Sequence, residues 1–410
     1  MYKTIDKNLF FGIISRSMRI AMIGQKGYPA RSGGVEKHVE ELSKRLGKQG
    51  HDVFVFCRSW YVTDSTTDKG IHRIFTPSLH TKHLDTITHV FFSILKAARL
   101  NVDIFHLHGV GPALLSWLPK IIRPSAKVVV TFHSIDRYQA KWNGFAKKIL
   151  HFGETAACRF PDQTITISKT LTEYCQTVYQ TETRYIPNGV TTPPSSVSTE
   201  SLKTFDLEPN RYFLMVARLV PHKGQHTLIT AWKQAKIKQP TLFQGFKLVI
   251  VGGSSFTDVY KKELIQLAGD DTSIILTGEQ TGETLSALYA HAYAGVHPSM
   301  AEGLPISVLE AMSHGKCVLA SDIPEHLEIT EQYGLNFRAG CAESLTEHLI
   351  MMIESPELVT HVGHEAALFV QRNYHWDEIA LHNEMVYKQL LFPVPLPQQS
   401  AYIRTQKIVR

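Results

Sequence analysis

Glu302-Gly-Leu-Pro-Ile-Ser-Val-Leu-Glu310 sets two carboxylates on either side of a helix start. Gly303 and Pro305 make the first half a tight loop, and Ile306-Ser-Val-Leu-Glu-Ala-Met reads as a helix that Pro305 can open. Glu302 then stands in the loop, and Glu310 stands about one and a half turns inside the helix. Between them lies a helix N-terminus, with unsatisfied N–H groups and partial positive charge. A phosphate at the helix end, a ribose at one carboxylate and a hexose at the other would fill this arrangement. A solvated helix face also carries such Glu pairs, so the reading needs support from elsewhere in the chain.

That support lies upstream. Tyr212-Phe-Leu-Met-Val-Ala-Arg-Leu219 reads as a buried strand, followed by Val220-Pro-His-Lys223-Gly224 and a helix. Arg218 at the strand end and Lys223 at the helix start put two cations on one loop, where an α/β sheet places its ligands. Against phosphate they form charge-assisted hydrogen bonds, stronger than neutral ones. Lys247-Leu-Val-Ile-Val-Gly252-Gly253 is a further strand, ending in glycines that let a nucleotide approach the backbone.

Arg218-x4-Lys223-Gly, the Val-Gly-Gly turn and Glu302-x7-Glu310, in that order, resemble family 4 retaining glycosyltransferases of the GT-B fold. The N-terminal part agrees. Arg19-Ile-Ala-Met-Ile-Gly24 is a short apolar strand, and Tyr28-Pro-Ala-Arg-Ser-Gly33-Gly34-Val-Glu is similar to the family's glycine loop. Val35, Val39, Leu42 and Leu46 continue it as an amphipathic helix, whose N-terminus favours phosphate. Asp103-Ile-Phe-His-Leu-His108, Val128-Val-Val-Thr-Phe-His133, Thr164-Ile-Thr-Ile-Ser168 and Tyr185-Ile-Pro-Asn188-Gly189-Val190 look like the family's strand-end motifs. The resemblance covers roughly residues 19 to 391. Its implied fold is α/β: two Rossmann-like doubly wound domains facing across a cleft, with a C-terminal helix crossing back to the first.

Composition agrees with that size of fold. The chain has 410 residues and 43% hydrophobic content, enough for two cores. Five cysteines without a C-x-x-C pair argue against a disulfide framework and suit a reducing cytoplasm. Near the start the longest apolar run, Leu9-Phe-Phe-Gly-Ile-Ile14, is too short to span a membrane. The expected organisation is an extension at 1–17, with Met18 as an alternative start, and an acceptor-side domain at 18–190. A Pro/Ser-rich linker follows at 191–208, then a nucleotide-sugar domain at 209–375, a crossover helix at 376–391 and a tail at 392–410. Strands of the second domain are expected near 212–218, 246–252, 273–277, 294–298 and 316–321. In the crossover helix Trp376, Ile379, Val386 and Leu390 mark an apolar stripe.

Charge is unevenly split: residues 1–190 carry 26 Lys/Arg against 14 Asp/Glu, residues 191–410 carry 17 against 23. A basic first half fits a domain facing an anionic surface. The resemblance makes that surface the inner leaflet bearing a lipid-linked acceptor, with the enzyme cytoplasmic and peripheral. Arg137-Tyr-Gln-Ala-Lys-Trp142-Asn-Gly-Phe145-Ala-Lys-Lys148-Ile-Leu150 mixes bases and aromatics as interfacial helices do; the competing reading packs Phe145 and Leu150 inward. No nucleic-acid motif accompanies the charge.

Carried over by position, the resemblance gives Glu310 the ribose hydroxyls and Glu302 the donor-sugar hydroxyls. The Leu304-Pro305-Ile306 backbone meets the diphosphate, Gly33 and Gly34 close over it, and His133 lies near the transferred sugar. Arg218 and Lys223 stabilise charge on the departing phosphate. No D-x-D motif stands near the site, so no metal and no cofactor is expected. His106 and His108 share a strand face, without an evident third metal ligand. The implied partners are a nucleoside-diphosphate-sugar donor and a polyprenyl-diphosphate-linked saccharide acceptor, as in bacterial surface-polysaccharide synthesis. A nucleotide-sugar epimerase and a non-catalytic sugar-nucleotide-binding scaffold are the alternatives. A dinucleotide oxidoreductase ranks lower, because Gly24-Gln-Lys-Gly27 is not a G-x-G-x-x-G fingerprint.

Overall fold

A computed structural model describes residues 16–61, 68–81, 84–135, 137, 144–254 and 257–393. Residues 1–15 of the expected extension, 394–410 of the tail, and much of the 137–150 stretch lie outside the described residues. Among the described residues, thirteen strands form two all-parallel sheets. The first holds β1 (Arg19–Ile23), β2 (Asp52–Arg58), β3 (Ile71–Thr76), β4 (Ile104–His108), β5 (Lys127–Phe132), β6 (Gln163–Thr166) and β7 (Arg184–Tyr185), in the order 3-2-1-4-5-6-7. The second holds β8 (Tyr212–Val216), β9 (Lys247–Val251), β10 (Ile274–Gly278), β11 (Ala294–His297), β12 (Val318–Ser321) and β13 (Leu335–Phe337), in the order 10-9-8-11-12-13. Runs such as Lys127-Val-Val-Val-Thr-Phe132 are buried almost throughout, as parallel strands covered on both faces must be. Each order reverses once, between β1 and β4 and between β8 and β11, where α/β sheets bind ligands.

The first helix, Gly34–Lys48, buries Val39, Leu42 and Leu46 against the first sheet, while Val35 in its opening turn stays partly exposed. Beside it lies the helix Trp376–Leu391, which returns to the first domain. Trp376, Ile379, Val386 and Tyr387 join the core of Ile20, Met22 and Val39. Leu390 packs on its margin. A fully buried aromatic or aliphatic side chain contributes ~1.5–3 kcal/mol, so this face anchors the return strongly. Polar contacts align it: Arg45 Nε donates to Asp377 at 2.6 Å, and His51 meets Glu384 at 2.9 Å.

The linker is shorter than residues 191–208 suggest. Glu200–Lys203 is a helix, and Leu202 and Leu207 are buried with residues of the second domain. Apolar side chains there dock the chain, whereas 191–198, rich in Pro and Ser, is largely exposed.

Candidate functional site

The helix Ile306–Ser313 begins at Ile306, as expected. Pro305 (φ −74°, ψ 111°) is the extended residue just outside it, and Glu310 sits in its second turn. The first intrahelical bonds come from the N–H groups of Val308 and Leu309 to the Pro305 carbonyl, so the Ile306 and Ser307 amides precede the ladder.

Glu302 lies in the loop after β11, next to the loop after β8. Lys223 ends a short 3-10 turn, Pro221–Lys223, rather than opening the following helix, Gln225–Lys238. Its Nζ donates to Glu302 Oε1 at 2.5 Å. Gly224 makes this geometry feasible: it sits at φ 75°, and a Cβ there would stand 2.2 Å from the Pro298 carbonyl oxygen. Burial pushes the Glu302 carboxyl up, but Lys223, with help from His326 and Ser299, outweighs it and holds the group down at about 2. Glu302 is therefore an ionised, fixed acceptor. Arg218 is half-buried two residues beyond β8, and its guanidinium makes no hydrogen bond or ion pair among the described residues. Its carbonyl accepts from the Gln225 side chain at 2.8 Å and from the Val220 N–H at 2.9 Å.

Glu310 behaves in the opposite way. Burial raises its carboxyl above the usual range, only partly offset by Lys37 and by the Tyr289 hydroxyl, which donates to Oε2 at 3.1 Å. Lys37 belongs to the first turn of the other domain's helix and is ion-paired with Glu41 at 3.2 Å. Sequence reasoning missed Lys37 and Tyr289, because both reach Glu310 only through tertiary structure.

The glycines divide by role. Gly33 caps the first helix at φ 104°, and Gly34 faces the second domain, with Ile306 the nearest side chain at 4.0 Å from where a Cβ would be. Gly303 lies against the first domain, since a Cβ there would stand 1.8 Å from the His133 carbonyl oxygen. What comes close to Gly252 and Gly253 is protein: the Ala217 carbonyl (1.9 Å from a Cβ) and the Glu279 side chain (2.6 Å). These two glycines let the loops after β8, β9 and β10 pack together.

Asn188 ties the halves together. Its amide donates to the Leu304 carbonyl at 2.7 Å, and its Oδ1 meets His38 Nδ1 at 2.9 Å. Leu304 itself is buried. His38 leads to a histidine cluster at the first sheet's reversal. His133 Nε2 lies 3.3 Å from His108 Nδ1, and His106 lies tilted against His108 at 4.1 Å between ring centres. Both ring nitrogens of His106 are used, by Tyr387 at 2.6 Å and Thr131 at 2.7 Å. Burial pulls all four imidazoles down, His38 to about 4, so the rings are neutral at physiological pH. The structure thus brings Glu302, Lys223, Gly303, Leu304 and His133 to one interdomain surface, with Gly33, Gly34, Ile306 and Glu310 along the same contact.

Two family models match successive parts of the chain: Glycosyltransferase Family 4 over residues 32–192 and Glycosyl transferases group 1 over residues 199–368. An uncharacterized glycosyltransferase of Methanocaldococcus jannaschii is 24% identical, covering 90% of this chain and 98% of its own. A GDP-mannose-dependent alpha-(1-6)-phosphatidylinositol monomannoside mannosyltransferase of Mycobacterium tuberculosis is 22% identical, covering 86% and 94%. Among solved structures, sucrose-phosphate synthase of Thermosynechococcus elongatus superposes with a TM-score of 0.79 at 21% identity, covering 92% of this chain and all of its own. HepE of Anabaena, solved with UDP and glucose, gives 0.71 at 19% identity over 90% and 99%. Both confirm the two-domain GT-B architecture.

Proposed function

From the premise that this chain belongs to the family 4 glycosyltransferases, we propose that it moves a hexose from a nucleoside-diphosphate sugar to a saccharide acceptor, with retention at the anomeric carbon. The observation that carries the reading is the helix N-terminus flanked by Glu302 and Glu310, with Lys223 fixed on one carboxylate and Arg218 uncommitted beside it. Glu310 takes the ribose hydroxyls and Glu302 those of the sugar. The diphosphate lies on the Leu304-Pro305-Ile306 backbone under Gly33 and Gly34. HepE's UDP and glucose, seated in a protein of this fold, support such a donor.

In the transfer, the bond from the anomeric carbon to the phosphate oxygen breaks as the acceptor oxygen bonds to that carbon. The acceptor's proton passes to the departing phosphate. Negative charge grows on the phosphate, and preorganised cations stabilise it most when fixed before reaction. Lys223, Arg218 and the helix end supply this without a metal or other cofactor. Glu302 serves as a hydroxyl acceptor rather than a nucleophile, since its carboxylate is already committed to Lys223. His133, neutral and at the interdomain contact, steadies a sugar hydroxyl.

The acceptor in this reading is a polyprenyl-diphosphate-linked saccharide of bacterial surface-polysaccharide assembly, met at the inner face of the membrane. The lipid acceptor in the mycobacterial relative's name supports it. So does one side of the first sheet, where helices Asp85–Arg99, Leu118–Ile122 and Gly144–Arg159 expose Phe91, Phe92, Ile121 and Phe152 among basic residues. Leu150 on the last of these packs inward, and the Phe145 side chain lies outside the described residues. No helix among the described residues is long and apolar enough to cross a membrane.

The test is a thermal-shift screen of UDP-, GDP-, ADP- and dTDP-sugars, repeated on Glu310→Ala and followed by transfer assays in excess EDTA. One donor stabilises the wild type by ~2.7 kcal/mol at a hundredfold excess over its dissociation constant, and the mutant loses that shift. Turnover persists in EDTA. Absence of any nucleotide-sugar shift would refute the reading.

A further inference from the structure

Three of the four clustered histidines have nitrogens turned toward one point. His38, His108 and His133 each offer one ring nitrogen, all within 4.8 Å of one another. Their ring centres are 4.8, 5.5 and 5.5 Å apart. Tetrahedral zinc with nitrogen bonds of about 2.0–2.1 Å sets its ligand nitrogens about 3.3 Å apart and its imidazole centres about 5.2 Å apart. The His108–His133 nitrogen separation, 3.3 Å, already has that value.

One buried ring nitrogen of the three is without a partner. His38 Nδ1 is spent on the Asn188 carbonyl oxygen, which leaves Nε2 buried and without a partner. A carbonyl on the far nitrogen is how metal-binding imidazoles are oriented. His108 has Nε2 against Met22 Sδ at 3.4 Å, and its Nδ1 is hydrogen-bonded to His133 Nε2 at 3.3 Å, a contact that a bound ion would replace. His106 is excluded from the set, since Tyr387 and Thr131 occupy both its nitrogens. The sequence pairs His106 with His108. The fold replaces His106 by His38 and His133, from a distant helix and the loop just after the next strand.

We propose that His38, His108 and His133 form a three-histidine site for a divalent transition-metal ion, Zn2+ foremost, and that filling it holds the enzyme inactive. An all-imidazole set suits zinc over magnesium or calcium. Of the three, His133 is the most exposed at 6%, so the ion enters from the cleft, with its fourth position open there. Once on the metal, His133 no longer offers its nitrogen to a sugar. The binding stands apart from the transfer reaction, and the inhibition rests on the reading given above.

The test uses the full chain, stripped with EDTA and dialysed. Co2+ is added and the visible spectrum recorded, then Zn2+ affinity is measured by competition with a chromogenic chelator. One Co2+ per chain with the intense absorption of tetrahedral cobalt, displaced by one equivalent of Zn2+, is expected. His38→Gln and His108→Gln each weaken Zn2+ binding by roughly 100-fold or more, and Asn188→Ala by about 10–100-fold. The exposed His72→Ala retains it. Absent tetrahedral absorption in the wild type, or a site that survives His108→Gln, would overturn the proposal. In the transfer assay, stoichiometric Zn2+ suppresses turnover and EDTA restores it; full turnover with the site filled overturns the inhibition. Tetrahedral cobalt in a protein that transfers nothing under any condition refutes the transferase reading and leaves the metal site standing.

Discussion

Gly303→Ala separates closure of the two domains from binding of the donor. The added Cβ would stand 1.8 Å from the His133 carbonyl oxygen, where real Cβ atoms keep at least 3.0 Å. One backbone must retreat by more than an ångström, and neither is a flexible side-chain end that could swing aside. Gly303 is not among the residues with positive φ, so the backbone itself accepts alanine and the whole effect is steric. Each domain has its own sheet, and one buried apolar cluster runs across both, so the strain falls on the contact between them. Misplacement of about an ångström costs about 10²-fold in rate, equivalent to about 2.7 kcal/mol. The assay pairs nucleotide affinity by calorimetry with single-turnover transfer. Affinity, which the proposed donor site assigns mainly to the second domain, changes less than about fivefold, while transfer falls about 100-fold. Transfer within threefold of wild type would refute the argument that this contact positions the reacting groups.

Lys223→Met leaves Glu302 as a buried, unpaired charge and lowers stability by about 3–5 kcal/mol at neutral pH, measured by urea denaturation. Because the Glu302 carboxyl is held down at about 2, its stabilisation is complete above its unfolded value of 4.5 and is lost as pH falls toward 2; the mutant loses that segment of the pH–stability curve. Glu310 has the opposite sign: its carboxyl is raised, so ionisation works against folding as pH rises through the folded value. Glu310→Gln accordingly melts no lower than wild type at pH 8 in scanning calorimetry, yet loses stabilisation by the donor. Asn188→Ala removes the Leu304 and His38 bonds together and costs about 1–3 kcal/mol by the same denaturation assay, a buried carbonyl being left unpaired.

The central strands of both sheets are legible because continuous apolar runs ending in Gly or Arg leave little else to assign. In the second domain, expected strands near 212–218, 246–252, 273–277, 294–298 and 316–321 meet observed ones at 212–216, 247–251, 274–278, 294–297 and 318–321. The edge strand Leu335–Phe337 escaped notice, since three residues of mixed burial give no periodicity. Among site residues, Glu302, Glu310 and Lys223 are readable from local spacing around loops and helix starts. Lys37, Asn188 and Tyr289 are not. His38 and Asn188 stand 150 positions apart, and their meeting depends on where the sheet reverses. Gly252 shows the converse limit: its need for glycine is plain in sequence, but the atom it accommodates, the Ala217 carbonyl, is set by the neighbouring loop.

Among the described residues the chain passes between the domains twice, and the passages touch. Val190 donates its N–H to the Tyr374 carbonyl at 2.7 Å and accepts from Trp376 at 3.4 Å, forming a parallel bridge with His375. Two crossings side by side restrain the halves from sliding or drifting apart. The second crossing also ends in a helix whose Trp376 and Tyr387 are buried in the first domain. A protein cut in the exposed 191–198 segment therefore keeps its halves joined by that helix, and two separately translated fragments, split there, reassemble by complementation into one working cleft.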